Sequence, residues 1–153
     1  MAAGVSDLRF ARPVGDAALR DWQYVHNTTI PTHHLSLDDV RERARRHRLE
    51  VAYLGDVLAG CSTVRPPEDV DGTRTATVIA RVLADHRGRG IGAELYARGL
   101  FAAWELGAEQ IATVVLAANE SGLRFARKEG FVETERYVLP GETAEWVDMK
   151  MVR

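Results

Sequence analysis

The segment RGRGIG at residues 87–92 constrains the fold more than any other stretch of this chain. It separates the apolar run ATVIARVLA at 76–84 from AELYARGLFAAWELG at 93–107, which has the pattern of a helix of about four turns. A strand must therefore become a helix through three glycines and two arginines. That arrangement lines up backbone N–H groups at a helix N-terminus, where anions bind. Glycine lets the ligand come close, because no Cβ occupies its place. A P-loop would end in Gly-Lys-Ser/Thr, which is absent. The dinucleotide fingerprint is matched literally by Gly88, Gly90 and Ala93, but it also requires an acid at the end of the next strand. Glu109 has the spacing and stands before that strand instead. The motif also comes mid-chain, after three or four strands.

The surrounding pattern alternates short strands and helices. Residues 8–14 read as an edge strand. Residues 16–26 read as a helix with Asp16 as N-cap and Leu19, Trp22 and Val25 on one face. Residues 27–36 read as a loop interrupted by Pro31. Ser36 and Asp39 form a capping-box pattern, opening a helix with acids at its start and Arg41, Arg43, Arg45, Arg46 and Arg48 toward its end, as the helix dipole favours. Residues 50–64 read as a hairpin around Gly55 and Asp56, and 65–73 as an acidic, proline-bearing loop. A strand at 75–83 precedes the glycine loop. On the helix after it, Ile91, Leu95, Ala102 and Leu106 should face inward, with Glu94 paired to Arg98 outside. The apolar run at 110–119 reads as a strand buried on both faces. A short helix at 121–130 ends in Gly130, and two alternating strands follow. The expected order is β-α-α-β-β-β-α-β-α-β-β.

Composition closes off other classes. At 153 residues the chain suits one domain, and a net charge of −2 leaves no footprint for nucleic acid or an anionic membrane. One cysteine, Cys61, excludes an internal disulfide and suggests a reducing compartment. No uncharged apolar run reaches the ~18 residues of a membrane span, and no signal-peptide core is evident, so a cytoplasmic location is expected. No His/Cys/Asp cluster has metal-ligand spacing, so no metal is expected.

Arg87-x-x-Gly90-x-Gly92 between strand and helix resembles the pyrophosphate loop of the GNAT superfamily of acyl-CoA-dependent N-acyltransferases. A second stretch, NESGLRFARKEGF at 119–131, is similar to the later motif of that family through Asn119, Gly122, Phe125, Lys128, Gly130 and Phe131. The resemblance implies an α+β fold: a single domain over 8–153 after a flexible N-terminus at 1–7. Its central mixed, mostly antiparallel sheet has six to seven strands, splayed between 75–83 and 110–116 and flanked by about four helices. It implies acetyl-CoA as co-substrate, held by Ala80, Arg81, Val82, Arg87, Gly88, Arg89, Gly90, Ile91, Gly92, Asn119, Ser121 and Phe125. The Val82 N–H would donate to the thioester carbonyl, and a small-molecule or peptide amine would be the acceptor.

The proton-transfer groups are less determined. Many family members carry a tyrosine after the position of Phe125 to protonate the departing thiolate; here it is Ala126. Ser121 and Tyr137 are the substitutes by position. No Asp, Glu or His lies between Gly72 and Leu83. A general base would therefore come from loops expected near the acceptor: His33 and His34, or Glu68, Asp69 and Asp71, acids that could instead attract a cationic acceptor. The missing tyrosine and acid-free strand favour a second reading, a non-catalytic acyl-CoA-binding regulatory or sensor module. The apolar C-terminal strand with Trp146, Met149 and Met151 suits a homodimer contact or core.

Overall fold

A computed structural model describes residues 7–152, so the expectation for residues 1–6 lies outside the described part of the chain. Asp7 is described, and its carbonyl accepts from the Gly55 amide. The elements run β1 (Leu8–Ala11), α1 (Asp16–Thr29), α2 (Leu37–Arg46), β2 (Arg48–Leu54), β3 (Val57–Val70), β4 (Thr73–Val82), α3 (Ile91–Glu105), β5 (Gln110–Leu116), α4 (Glu120–Lys128), β6 (Val132–Val138) and β7 (Glu145–Val152). They build one seven-stranded sheet in the order β1-β2-β3-β4-β5-β7-β6. Only β4 and β5 run parallel; every other neighbouring pair is antiparallel.

Each sheet face is covered by helices with a different core. Leu19, Trp22 and Val25 of α1 and Val40 of α2 pack on Leu49, Val51 and Cys61. On the opposite face Ile91 and Leu95 of α3 pack on Ala52, Leu54 and Ala59, while Tyr96 and Ala103 pack with Val78, Ile111, Ala126 and Phe131. The helix α3 sits unusually close to β4. A Cβ on Gly99 would lie 2.4 Å from Val78 Cγ1.

Several local expectations change. Gly15, at φ 86°, is the N-cap of α1, and Asp16 is the first helical residue, where its carboxylate meets Arg41 at 2.8 Å. The helix continues to Thr29, leaving a single 3-10 turn at Pro31–His33 before α2. The expected loop at 65–73 is largely strand. Pairing of β3 to β4 resumes at Glu68 after a register shift that absorbs Pro66 and Pro67, which have no N–H to offer the ladder. On α3 the buried set is Ile91, Leu95, Tyr96, Gly99 and Ala103, because Leu106 is the C-cap and turns outward. Side chains of β5 alternate between buried and half-buried. The capping box of Ser36 and Asp39 forms as read. So does the Gly130 cap, with Phe131 N–H bonded to Ala126 O and Gly130 N–H to Arg127 O in a Schellman arrangement. β7 is paired along both edges, and Trp146 and Met149 are buried in the sheet's own core.

Arg98 does not pair with Glu94. Its guanidinium forks onto Glu50 of β2, Nε to Oε1 at 2.9 Å and Nη2 to Oε2 at 2.7 Å, and lies over the Phe10 ring. Glu50 is buried, so removing its partner strands a carboxylate under α3. Arg98→Met should cost about 2 kcal/mol or more in urea unfolding, and Glu50→Leu/Arg98→Met should recover most of that loss.

Candidate active site

The parallel pairing of β4 and β5 lasts three residues, Thr75–Gln110, Ala76–Ile111 and Thr77–Ala112, and then stops. Beyond it the strands diverge around a cleft of about 550 Å³. Tyr96 of α3 occupies the point of divergence. Its hydroxyl is 3.2 Å from Thr113 Oγ1 on β5 and lies against the Ala80 backbone amide on β4, and its ring packs on Phe125 and Phe131. Burial pushes its hydroxyl pKa up, so the group stays protonated.

The open edge of β4 follows from the ladder. Leu83 N–H donates to Ala59 O at 2.9 Å, toward β3. Successive amides of an extended strand point to opposite edges, so Val82 N–H and C=O face the cleft. The Val82 carbonyl accepts from Arg87 Nε at 3.2 Å, which ties the strand end to the glycine loop. Gly88 and Gly90 both have φ +79°, a left-handed conformation, and a Cβ on either would meet only open space. The first intrahelical bond of α3 is Glu94 N–H to Gly90 O, so the amides of Ile91, Gly92 and Ala93 are free at the helix start, with no side-chain cap. Bare amides beside Arg87 fit a diphosphate.

The other wall comes from the end of β5 and the start of α4. Asn119 caps α4 by accepting from Gly122 N–H at 3.0 Å and from the Ser121 hydroxyl at 3.2 Å. A Cβ at Gly122 would lie 2.4 Å from Asn119 Nδ2, so the Gly is needed for this cap. The cleft is lined by Ala80, Arg81, Val82, Arg87, Gly88, Gly90, Ile91, Gly92, Asn119, Ser121 and Phe125. Of the sequence-predicted cofactor residues only Arg89 falls outside this lining.

The predicted proton-transfer residues are dispersed. Ser121 lines the cleft. Tyr137 lies on β6 and donates its hydroxyl to Asp148 Oδ1 at 2.8 Å; burial pushes its pKa up to about 12. His34 is exposed. His33 is bound to Glu142 Oε1 at 2.7 Å and meets the Trp146 ring edge-on, so it fastens the α1–α2 connection to the β6–β7 turn. Glu68 and Asp69 pair with Thr75 and Arg74 at the start of β4, about 25 Å along the strand from Val82. They and Asp71 therefore stand at the far end of the sheet and do not face the cleft. Tyr96 was not singled out from sequence, where it reads as one more apolar position on α3. Among the described residues no group of three or more His, Cys, Asp or Glu could hold a metal ion, and no helix is long and apolar enough to cross a membrane.

The sequence profile of the Acetyltransferase (GNAT) family matches residues 13–131, across both motifs and the strands that diverge. The chain belongs to the GNAT family of acetyltransferases. Solved GNAT-like structures share its fold. One is yncA of Salmonella typhimurium, solved with acetyl-CoA, with 17% identity, TM-score 0.77, and coverage of 95% of this chain and 94% of that one. Another is Naa50 of Arabidopsis thaliana, solved with the bisubstrate analogue CoA-Ac-MVNAL: 19% identity, TM-score 0.77, 96% and 99% coverage. A third is the ribosomal-protein-alanine N-acetyltransferase of Brucella melitensis: 18% identity, TM-score 0.76, 95% and 99% coverage. No curated protein sequence matches the chain.

Two measurements follow. Tyr96→Phe removes the hydroxyl at the divergence and should lower stability by about 1–2 kcal/mol in urea unfolding. His26 is buried, stacks on Trp22 and holds the His33 carbonyl through Nε2 at 2.8 Å; burial brings its pKa down to about 4. The unfolded chain therefore takes up a proton that the folded one refuses between pH 6.5 and 4. Stability should be full above that window and fall through it by up to about 3 kcal/mol, and His26→Asn should flatten the fall.

Proposed function

We propose that this GNAT protein binds acetyl-CoA in the β4–β5 cleft and transfers the acetyl group to a primary amine by direct attack on the thioester. The observation that carries the reading is the unpaired edge of β4, with the Val82 N–H facing the cleft beside the free amides of the glycine loop. In this reading Arg87 and the amides of 88–93 hold the diphosphate, and the open backbone of Ala80–Val82 pairs with the pantetheine arm. The Val82 N–H faces the thioester oxygen, where a preformed donor contributes about 3 kcal/mol as charge develops. Asn119 and Phe125 form the opposite wall. Acetyl-CoA supplies the activated acyl carbon.

The bookkeeping of protons is simple. A C–N bond forms, the C–S bond breaks, the amine loses one proton and the thiolate gains one. Ala126 is fully buried in the core and offers no hydroxyl. Ser121 is the predicted candidate that lines the cleft; its hydroxyl donates to Asn119 Oδ1, and it would pass a proton to the thiolate only by turning from that bond and regaining the one the amine gives up. Tyr137, whose own proton goes to Asp148, and exposed His34 would act only by moving toward the substrate. A thiol pKa near 8.5 makes thiolate release at pH 7 inexpensive enough for a weak acid to suffice.

The test is acetyl-CoA calorimetry with thiol release followed across a panel of amines. Binding with amine-dependent release is expected. Gly90→Val should cut acetyl-CoA affinity roughly tenfold or more by straining the cradle and blocking it. Unchanged affinity would remove the cradle from the site.

A further inference from the structure

The Arg81 side chain is the unexplained charge of this cleft. It leaves β4 one residue before Val82 and so points to the opposite sheet face, toward α1 and α2, while lining the cleft. It is half-buried, and its guanidinium makes no hydrogen bond or ion pair to any described residue. The permanent charges that act on it are Arg43 of α2 and Arg65 of β3, both cations. Cys61 and Tyr96, also close, are kept protonated and neutral by burial, and His26 is neutral as well. No Asp or Glu lines the cleft. Two acids near the β6–β7 turn already have partners, Glu142 in His33 and Asp148 in Tyr137.

A planar cation with five donors and no acceptor, set among like charges and with no carboxylate partner, is open to an anionic ligand that takes the place of water on it. The ligand chemistry is an oxoacid anion, which a guanidinium grips bidentately. The diphosphate cradle lies on the far side of Val82, at Arg87 and the start of α3. We infer that Arg81 binds the carboxylate of the acceptor, and that the acceptor is a small molecule carrying both an amine and a carboxylate. The inference rests on the N-acetyltransfer reading above. The Val82 N–H and the Arg81 side chain come from adjacent residues, so acyl carbon and anion site are held in one fixed relation by the strand.

The test compares three series with the intact chain: L-amino acids together with glycine, β-alanine and 4-aminobutyrate; their methyl esters; and the corresponding decarboxylated amines. Thiol release should favour the free acids by roughly 10- to 100-fold in kcat/KM. Arg81→Met should erase that preference by raising KM for the acids, with acetyl-CoA affinity unchanged because the cofactor meets position 81 only through its backbone. It should also melt no lower than the parent, since it removes an uncompensated charge, and the preferred acid should stabilise the parent but not the variant. Equal use of esters or amines, a fall in acetyl-CoA affinity in Arg81→Met, or a lower melting temperature would each overturn the assignment. Acetyl-CoA binding with no release from any series would overturn it too, leaving N-acetyltransfer to other amines. Failure to bind acetyl-CoA would overturn the underlying reading itself.

Discussion

Everything distinctive in this structure depends on a ladder that stops. Three residue pairs hold β4 to β5, and then a phenol stands between them. A continued sheet would satisfy the Val82 amide internally and leave no room between the strands. Tyr96 instead bridges the two sides where they part. The close seat of α3 on β4, permitted by Gly99, delivers that phenol to the divergence and sets the helix start beside the strand end. The opening and the amide cradle are thus consequences of one helix position. Ala126 of α4 is buried against the same cluster as Tyr96.

The charges are arranged as deliberately as the backbone. Along α2 acids and bases meet one another: Asp38 and Glu42 pair with Arg41, Arg45 and Arg46, and Arg41 also reaches Asp16 at the start of α1. The cleft differs. Its lining holds Arg81, Arg87 and His86 and no carboxylate. Two anionic groups of different origin can be accommodated on opposite sides of Val82, one at the glycine loop and one toward α1 and α2. Burial keeps His26, on the α1–α2 side, neutral at neutral pH.

The motifs were legible because they depend on local backbone needs. Gly88 and Gly90 take up left-handed conformations, Gly130 ends α4, and Asn119 caps it; each leaves a residue-type signature. The residues that were missed act through distant partners. Arg98 finds Glu50, forty-eight positions away, in preference to the helical neighbour that spacing suggests. The acids at 68–71 looked close to the acceptor because chain proximity to β4 was read as proximity to its C-terminal end; the hairpin carries them to the other one. Pro66 and Pro67 hid a strand that tolerates them only through a bulge. Arg81 did leave a signal. It is the one charge inside the apolar run 76–84, where a surface role is hard to assign.

The strand order has a temporal side. β1 to β4 are laid down in sequence and each pairs with the strand just made, so that half of the sheet can assemble as it emerges. β5 and β6 are different: they are separated by a vacancy that only β7, made after both, can fill. Until β7 inserts, the wall that carries Asn119 and Phe125 hangs from three parallel residue pairs. The half of the molecule proposed to form the second wall around the thioester therefore becomes rigid last, and nascent chains would display a formed glycine loop beside an unfinished wall. Competence for the reaction is in this sense a late-maturing property, governed by a strand that contributes no side chain to the cleft.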